Sequence, residues 1–226
     1  MPRTKSVPDL VSFVSEADVN VLISRLPDSV KGRLRDVFLS AGSFGVRRLG
    51  SVSIRGRRDI TLYSILPARV SLGRFLIKGQ SAIEFGGPSR GQWPPWAIRR
   101  FLLYEVFLHE VGHLQLVNRK SRAWRRKYAD ETLADRFADE YRRKLWKVSF
   151  DHPDIVHNPP QEDEIAFISA WQGLNKKQRF SLVELALGAP YGDRIDLSRF
   201  GDAAIHHENF LSRAFQWNSE HADQRL

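Results

Sequence analysis

The segment WAIRRFLLYEVFLHEVGHLQLV, residues 96–117, decides what kind of core this chain builds. Pro94 and Pro95 precede it, and proline suits the first turn of a helix because that turn leaves its backbone N–H groups without helical partners. Apolar side chains fall on nearly every face of the predicted helix, which places it at the centre of a domain. Polar side chains on such a helix are costly to bury unless they find partners.

Two histidines and a glutamate interrupt this apolar helix in the pattern His109-Glu110-Val111-Gly112-His113. Residues four apart share a helix face, so both imidazoles can reach one ion, and Glu110 projects beside them. At this spacing the histidines suit zinc, and the glutamate suits removal of a proton from a metal-bound water. The alternative is a chance match on a partly buried helix, which burial makes costly without a metal.

Composition narrows the chemistry further. The chain has 226 residues, 42% of them hydrophobic, which is enough for one good core and a small second one. It has no cysteine, so disulfides and thiolate ligands are excluded and a metal must bind His, Asp or Glu. The N-terminal residues MPRTKSVPDL lack an apolar signal region, and no run of about 18 apolar residues occurs. We therefore expect a soluble, cytoplasmic protein without membrane contact.

A catalytic zinc site needs a third protein ligand and one open position. Glu131 lies near the start of a second predicted helix, residues 130–148, and an antiparallel return of the chain would bring its carboxylate to the two histidines. Asp135, one turn later, is placed to accept the N–H of a ligating histidine, and we expect that histidine to be His109. The alternative is that both are acidic residues favoured at a helix N-terminus by the helix dipole.

HEVGH followed by ETLADRFA at residues 131–138 resembles the ImmA/IrrE-type metallopeptidases, whose zinc helix precedes a Glu-x-x-Ala-(Asp/Asn)-x-Phe-Ala helix, and is similar to gluzincins in general. The resemblance covers about residues 82–141, under a third of the chain. It implies a zincin-like fold, one zinc ion per chain on His109, His113 and Glu131, Glu110 as general base and Asp135 in support. Such proteins often carry a helix-turn-helix module for DNA, and this sequence contains no convincing one.

The same resemblance predicts where a peptide substrate lies and which groups stabilise the oxyanion. The stretch before the zinc helix would be an edge strand that binds an extended peptide through main-chain hydrogen bonds. Its four residues are Ala82, Ile83, Glu84 and Phe85. Gluzincins commonly place a His or Tyr opposite the metal, and the sequence leaves five candidates open. These are Tyr128, Tyr141, His157, His206 and His207.

The remaining patterns predict an α+β fold, with a small β-sheet packed on the zinc helix and the glutamate helix. Helical spacing at residues 18–39 predicts one helix, or two broken at Pro27. Short β-rich runs predict strands at residues 52–54, 60–66, 74–77 and 82–85. We expect a zincin-like domain at 1–150, a proline-rich linker at 151–160 and a helical extension at 161–226. Its helices are predicted at residues 162–172, 181–187 and 203–217, with Ser181 and Glu184 at capping-box spacing.

The net charge of +9 favours acidic partners such as nucleic acid. Basic residues cluster at 47–58 and 119–127, although charge runs are usually solvent-exposed faces. Three functions remain open: a metallopeptidase acting on a protein or peptide, a nucleic-acid-associated protease resembling the SprT-like group, and a non-catalytic zinc-stabilised interaction or toxin-type module. The sequence gives no indication of the oligomeric state.

Overall fold

The structure is a computed structural model that describes residues 10–41, 48–53, 58–116, 124–148, 150–186 and 207–220. Its described part is a mixed α/β arrangement in which a small sheet and several helices surround one buried helix. None of the described helices is long and apolar enough to cross a membrane.

Strand β4 (Ile60–Pro67) is the centre of the sheet, as its alternating buried and partly buried residues indicate. Strand β2 (Val37–Ala41) pairs with it in parallel along one side. Strands β1 (Leu10–Ser12) and β3 (Gly50–Val52) pair with it antiparallel along the other, β1 near its end and β3 near its beginning. The prediction for residues 60–66 is confirmed, and β1 is a three-residue strand that the sequence pattern did not indicate.

One continuous helix crosses the core over residues 95–115, as predicted. It comprises α3 (Pro95–Phe101), a π-helical segment (Leu102–Phe107) and α4 (Leu108–Gln115). Pro95 occupies the first turn, and most of the side chains are buried. The π-helical segment was not predicted, and it ends at Phe107, two positions before the first histidine of the motif. Such segments are frequent at functional sites.

Helix α5 (Trp124–Lys147) packs against α4 at a close crossing. A Cβ atom built at Gly112 would lie 3.0 Å from the Cα atom of Ala134 and 3.1 Å from the Cβ atom of Phe137. Because two small residues meet here, the helices approach closely. The predicted helix at 130–148 is confirmed, but it begins two turns earlier, at Trp124.

The N-terminal prediction is half correct. Helices α1 (Glu16–Ser24) and α2 (Asp28–Lys31) lie on either side of Pro27, as expected. Residues 37–41, however, form β2 rather than the end of a helix. A short apolar run fits both the helical and the strand periodicity of hydrophobic residues. Here pairing with β4 stabilises the strand.

Two predicted strands are 3-10 helices, at Gly73–Phe75 and Ala82–Phe85. The second is closed locally, because the Ser81 N–H donates to the Glu84 carboxylate at 2.9 Å. Gly86, with a φ of 76°, then ends it in a left-handed conformation. The strand predicted at residues 52–54 is instead β3, and residue 54 lies outside the described residues.

The C-terminal helices are α6 (Glu162–Gly173), α7 (Lys176–Ala186) and α8 (Glu208–Glu220). All three were predicted, with shifted ends, and Ser181 lies inside α7 rather than at its N-cap. They pack around the start of the central helix, where the Trp96 ring contacts those of Phe167, Trp171 and Phe210. In the stretch predicted as a linker, Ile155–His157 forms a buried 3-10 helix.

Three buried arginines connect these parts of the chain. Arg99 donates to Asp18 and to Asp154, each at 2.6 Å. Arg100 pairs with Glu164 at 2.5 Å, and Arg142 binds Glu105, Glu84 and Asp139. Because a buried charge without its partner is strongly destabilising, these contacts hold the N-terminal, central and C-terminal elements in one arrangement.

Candidate metal centre

Three potential ligand atoms converge where α4 and α5 cross. The Nε2 atoms of His109 and His113 lie 3.0 Å apart. The Glu131 Oε2 atom lies 3.3 Å from the first and 3.5 Å from the second. These side chains form one of the groups able to hold a metal ion within the described part of the chain.

These separations fit the coordination of zinc. Ligand atoms about 2.0–2.1 Å from a tetrahedral zinc ion lie about 3.3 Å from one another. The three observed distances are close to this edge length, so one ion can contact all three atoms with little movement. The two nitrogens and one carboxylate oxygen also match the donors that zinc prefers.

Glu131 reaches the histidines because of the close helix crossing. It lies one turn before Ala134, which contacts Gly112 between the two histidines. Glu131 is not at a helix N-terminus, since α5 begins at Trp124 and its first turn contains no acidic residue. The interpretation of Glu131 and Asp135 as dipole-favoured residues at a helix start is therefore wrong.

The Asp135 carboxylate lies against the His109 ring, which is the contact expected from the sequence. The His109 Nδ1 atom lies 2.8 Å from the Asp135 Oδ1 atom, so the ring donates this N–H to the carboxylate. In the neutral ring the proton is then on Nδ1, which leaves the Nε2 lone pair directed at the ligand cluster.

Glu110 lies beside the ligands and is 7% exposed. Its carboxylate packs against β3, where a Cβ atom built at Gly50 would lie 2.7 Å from Glu110 Oε1. Burial, together with the Glu131 carboxylate, raises the pKa of Glu110 to about 7, while His109 and Arg48 act in the opposite direction. A carboxylate with such a pKa is suited to general-base chemistry near neutral pH.

The two histidines differ in their pKa shifts. Burial disfavours the charged form of His109, but the hydrogen bond to Asp135 and the carboxylates of Glu110 and Glu131 outweigh it and raise the pKa. Burial and the neighbouring His109 lower the pKa of His113, although Glu131 opposes them. Neutral imidazole is the form that binds a metal, and the lowered pKa of His113 favours that form.

The predicted substrate strand is wrong in its secondary structure. Ala82, Ile83, Glu84 and Phe85 form a 3-10 helix, so they offer no extended edge. Ala82 and Phe85 are buried, and Glu84 binds Arg142 at 3.2 Å. In the sequence, Ser81 and Glu84 have the spacing of a capping box. The hydrogen bond between them outweighs the β-propensity of this run.

The strand beside the centre is β3, which sequence reasoning did not assign to the site. The Tyr63 N–H donates to the Leu49 carbonyl at 2.9 Å, and the Ser53 N–H donates to the Asp59 carbonyl at 2.8 Å. The main-chain groups of the odd-numbered residues from 49 to 53 therefore face β4. The main-chain N–H and C=O groups of Gly50 and Val52 point to the opposite edge of β3. Among the described strands, β4 is the only partner of β3.

The structure separates the candidates for oxyanion stabilisation. His157 is 1% exposed and contacts Tyr104 and Asp18 in the core, which shields it from a substrate. Tyr141 stacks on Phe137 and is about 15 Å along α5 from Glu131.

The other three candidates for oxyanion stabilisation are His207, Tyr128 and His206. The His207 ring packs on Phe167, near the opposite end of the central helix. Tyr128 lies on α5 one turn before Glu131, but its side chain is outside the described residues. His206 is also outside them. Among the candidates on described helices, Tyr128 is the one whose position along the chain is near Glu131.

A second cluster of Asp18, Asp154 and His157 also has metal-like spacing. Arg99 occupies it, donating to both carboxylates at 2.6 Å. This cluster is an ion pair of the core, and it explains why Asp18 and Asp154 are buried.

The basic clusters at residues 47–58 and 119–127 lie largely outside the described residues, so the nucleic-acid hypothesis stays a prediction.

Comparison with models of protein families, with curated proteins and with solved structures finds no match for this chain.

Proposed function

We propose that this chain is a zinc-dependent peptidase of the gluzincin type with a zincin-like fold, as its resemblance to ImmA/IrrE-type metallopeptidases implies. His109, His113 and Glu131 would hold one zinc ion, and Glu110 would act as general base. The observation that carries this proposal is the set of three ligand-atom separations, 3.0, 3.3 and 3.5 Å, which are close to the edges of a zinc tetrahedron.

Zinc bound here would polarise a substrate carbonyl and make water a stronger acid. Glu110 would accept a proton from the attacking water and later return it to the leaving amine. Asp135 holds the His109 ring in the tautomer that leaves Nε2 free.

A site with three protein ligands favours catalysis over a purely structural role. Structural zinc sites are closed by four protein ligands, whereas catalytic sites keep one position for water or substrate. The ligand cluster within the described residues contains three groups. Partial exposure of Glu131, whose side chain is 48% exposed, gives substrate a path to it.

The substrate class that fits this site is a protein or peptide bound in an extended conformation. Gly50 is buried, whereas Val52 is partly exposed, so the outward main-chain N–H and C=O of Val52 offer one donor and one acceptor to an added strand. This edge adjoins Glu110, so a peptide lying along β3 would pass the general base.

The test is cleavage of an unfolded protein substrate by the zinc-loaded chain, with Glu110→Gln as the comparison. Because the amide that replaces the carboxylate cannot take a proton, turnover should fall by about 10²- to 10⁴-fold while zinc content stays the same. A chelator should abolish cleavage by the wild type. Equal activity of the wild type and Glu110→Gln would contradict the proposal and favour a non-catalytic zinc-stabilised module.

A further inference from the structure

Gly50 and Glu110 occupy adjoining space although they are 60 positions apart in the sequence. A Cβ atom built at Gly50 would lie 2.7 Å from Glu110 Oε1, 2.8 Å from Glu110 Cγ and 2.9 Å from Val106 Cγ1. Carbon atoms in contact normally stay about 3.5 Å or more apart. Any side chain at position 50 must therefore displace one of these neighbours or the strand.

The strand has little freedom to move away. Its residues on either side of Gly50 are tied to β4, through Leu49, which accepts from Tyr63 at 2.9 Å, and through the pairing of Ser51 with Thr61. Strand β4 is itself held by β2 along its other side.

The helix side of the contact is equally constrained. Val106 belongs to the π-helical segment, and the other residues of that segment are buried in the core. Glu110 is flanked on the same helix by the two metal-binding candidates, His109 and His113. Of the two side chains in this contact, that of Glu110 has the greater number of rotatable bonds.

We infer that Gly50 is a positioning residue for the general base. Because it lacks a side chain, the backbone of β3 forms a wall against which the Glu110 carboxylate packs beside the ligand cluster. A methyl group at position 50 would overlap that carboxylate and force it out of its present position beside the cluster. This inference rests on the proposed peptidase function for the role of Glu110, and it adds a requirement that the zinc motif does not contain.

The first test compares Gly50→Ala with the wild type in zinc affinity and in turnover of an unfolded protein substrate. Zinc affinity should change less than about threefold, since the ligands themselves are not displaced. The kcat value should fall about 100-fold or more, as expected for a misplaced catalytic group. Gly173→Ala is the matched control, because nothing lies within 4 Å of a Cβ atom built there, and its kcat should equal that of the wild type.

The second test is a double-mutant cycle on thermal unfolding of the zinc-free protein, which needs no activity. Gly50→Ala should lower Tm by roughly 3 to 10 °C through overpacking. In a Glu110→Ala background the same change should cost less than half as much, because the colliding atoms are gone. A parallel cycle with Val106→Ala separates the contribution of the other neighbour.

The outcomes distinguish this inference from the proposed function. Full kcat in Gly50→Ala, or relief of the Tm loss by Val106→Ala and not by Glu110→Ala, would overturn the role of Gly50. Absence of cleavage by the wild type would instead contradict the peptidase proposal. The double-mutant cycle on thermal unfolding would then test only the contact between Gly50 and Glu110.

Discussion

His109 uses its two ring nitrogens for different purposes. Its Nδ1 atom lies 2.8 Å from the Asp135 carboxylate, and its Nε2 atom faces His113 and Glu131. A carboxylate behind a ligating histidine fixes the ring and increases its basicity. In the proposed metal centre, Asp135 would act on the ion through His109 and not by direct coordination.

Replacement of Asp135 by alanine should therefore weaken zinc binding by about 10- to 100-fold, while the protein stays folded. Asp135→Asn keeps an oxygen that can accept the Nδ1–H, and its loss should be smaller. Competition with a fluorescent zinc chelator measures both affinities. If Asp135→Ala binds zinc as tightly as the wild type, Asp135 has no role in ordering the ligand.

At the scale of elements, the approach of α4 and α5 decides where Glu131 lies. Gly112 and Ala134 meet at the crossing, and an added Cβ atom at Gly112 would be 3.0 Å from the Ala134 Cα atom and 3.2 Å from its carbonyl oxygen. Both are backbone atoms, so relief requires movement of the helix. A separation of the helices would carry Glu131 away from the two histidines.

Gly112→Val should accordingly reduce zinc affinity by about tenfold or more, and Gly112→Ala should have an intermediate effect. Alanine is favoured over glycine inside a helix by about 1 kcal/mol, so Gly112→Ala should lose affinity without a matching loss of stability. Zinc titration and thermal unfolding of the same samples separate the two effects. Unchanged affinity in Gly112→Val would show that the crossing does not position Glu131.

Elements with a long, consistent pattern were predictable from sequence. The central helix, the helix carrying Glu131, and β4 all have enough residues for their periodicity to indicate the structure. The short runs at residues 74–77 and 82–85 do not, and local capping at Ser81 and Gly86 made the second a 3-10 helix. The same ambiguity hid β2 within a helical pattern.

The candidate site divides in the same way. The ligands and Asp135 lie at fixed spacings on two adjacent helices, so helix geometry brings them together. Gly50 comes from a strand 60 positions earlier, and its closeness to Glu110 depends on how the sheet docks on α4. A lone glycine in a short strand carries no signal of that contact, although glycine in a strand can mark close approach of another group.

At the scale of the whole molecule, Arg99 joins the N-terminal helix to the segment after α5. It binds Asp18 and Asp154, which lie 81 and 55 positions away in sequence. Burial opposes the charged form of Asp18, but Arg99, His157 and the Ser15 N–H together hold the pKa of that carboxyl well below its usual range. Partners so distant in sequence could not be assigned from its pattern.

This pair predicts a loss of stability in acid. The folded state binds the Asp18 proton less readily than the unfolded state. The stabilisation of the fold by the Asp18 carboxylate is therefore complete well above the unfolded pKa of about 3.9, and it is lost as pH falls below that value. Asp18→Asn should cost about 3–5 kcal/mol at pH 7, since it leaves a buried pair broken. It should also flatten the fall in Tm between about pH 5 and pH 3. Parallel Tm profiles for both proteins would contradict this assignment.

The most direct test of the metal centre is the zinc content of purified protein by elemental analysis after zinc loading and dialysis. Wild type should contain about one zinc per chain, His113→Ala should contain almost none, and Glu131→Ala should be sharply reduced. Glu140→Ala is the matched control, since Glu140 is an exposed carboxylate on the same helix, paired with Lys144 at 2.6 Å. Its zinc content should equal that of the wild type. A zinc-free wild type, or equal zinc in Glu131→Ala and Glu140→Ala, would contradict a centre built from His109, His113 and Glu131.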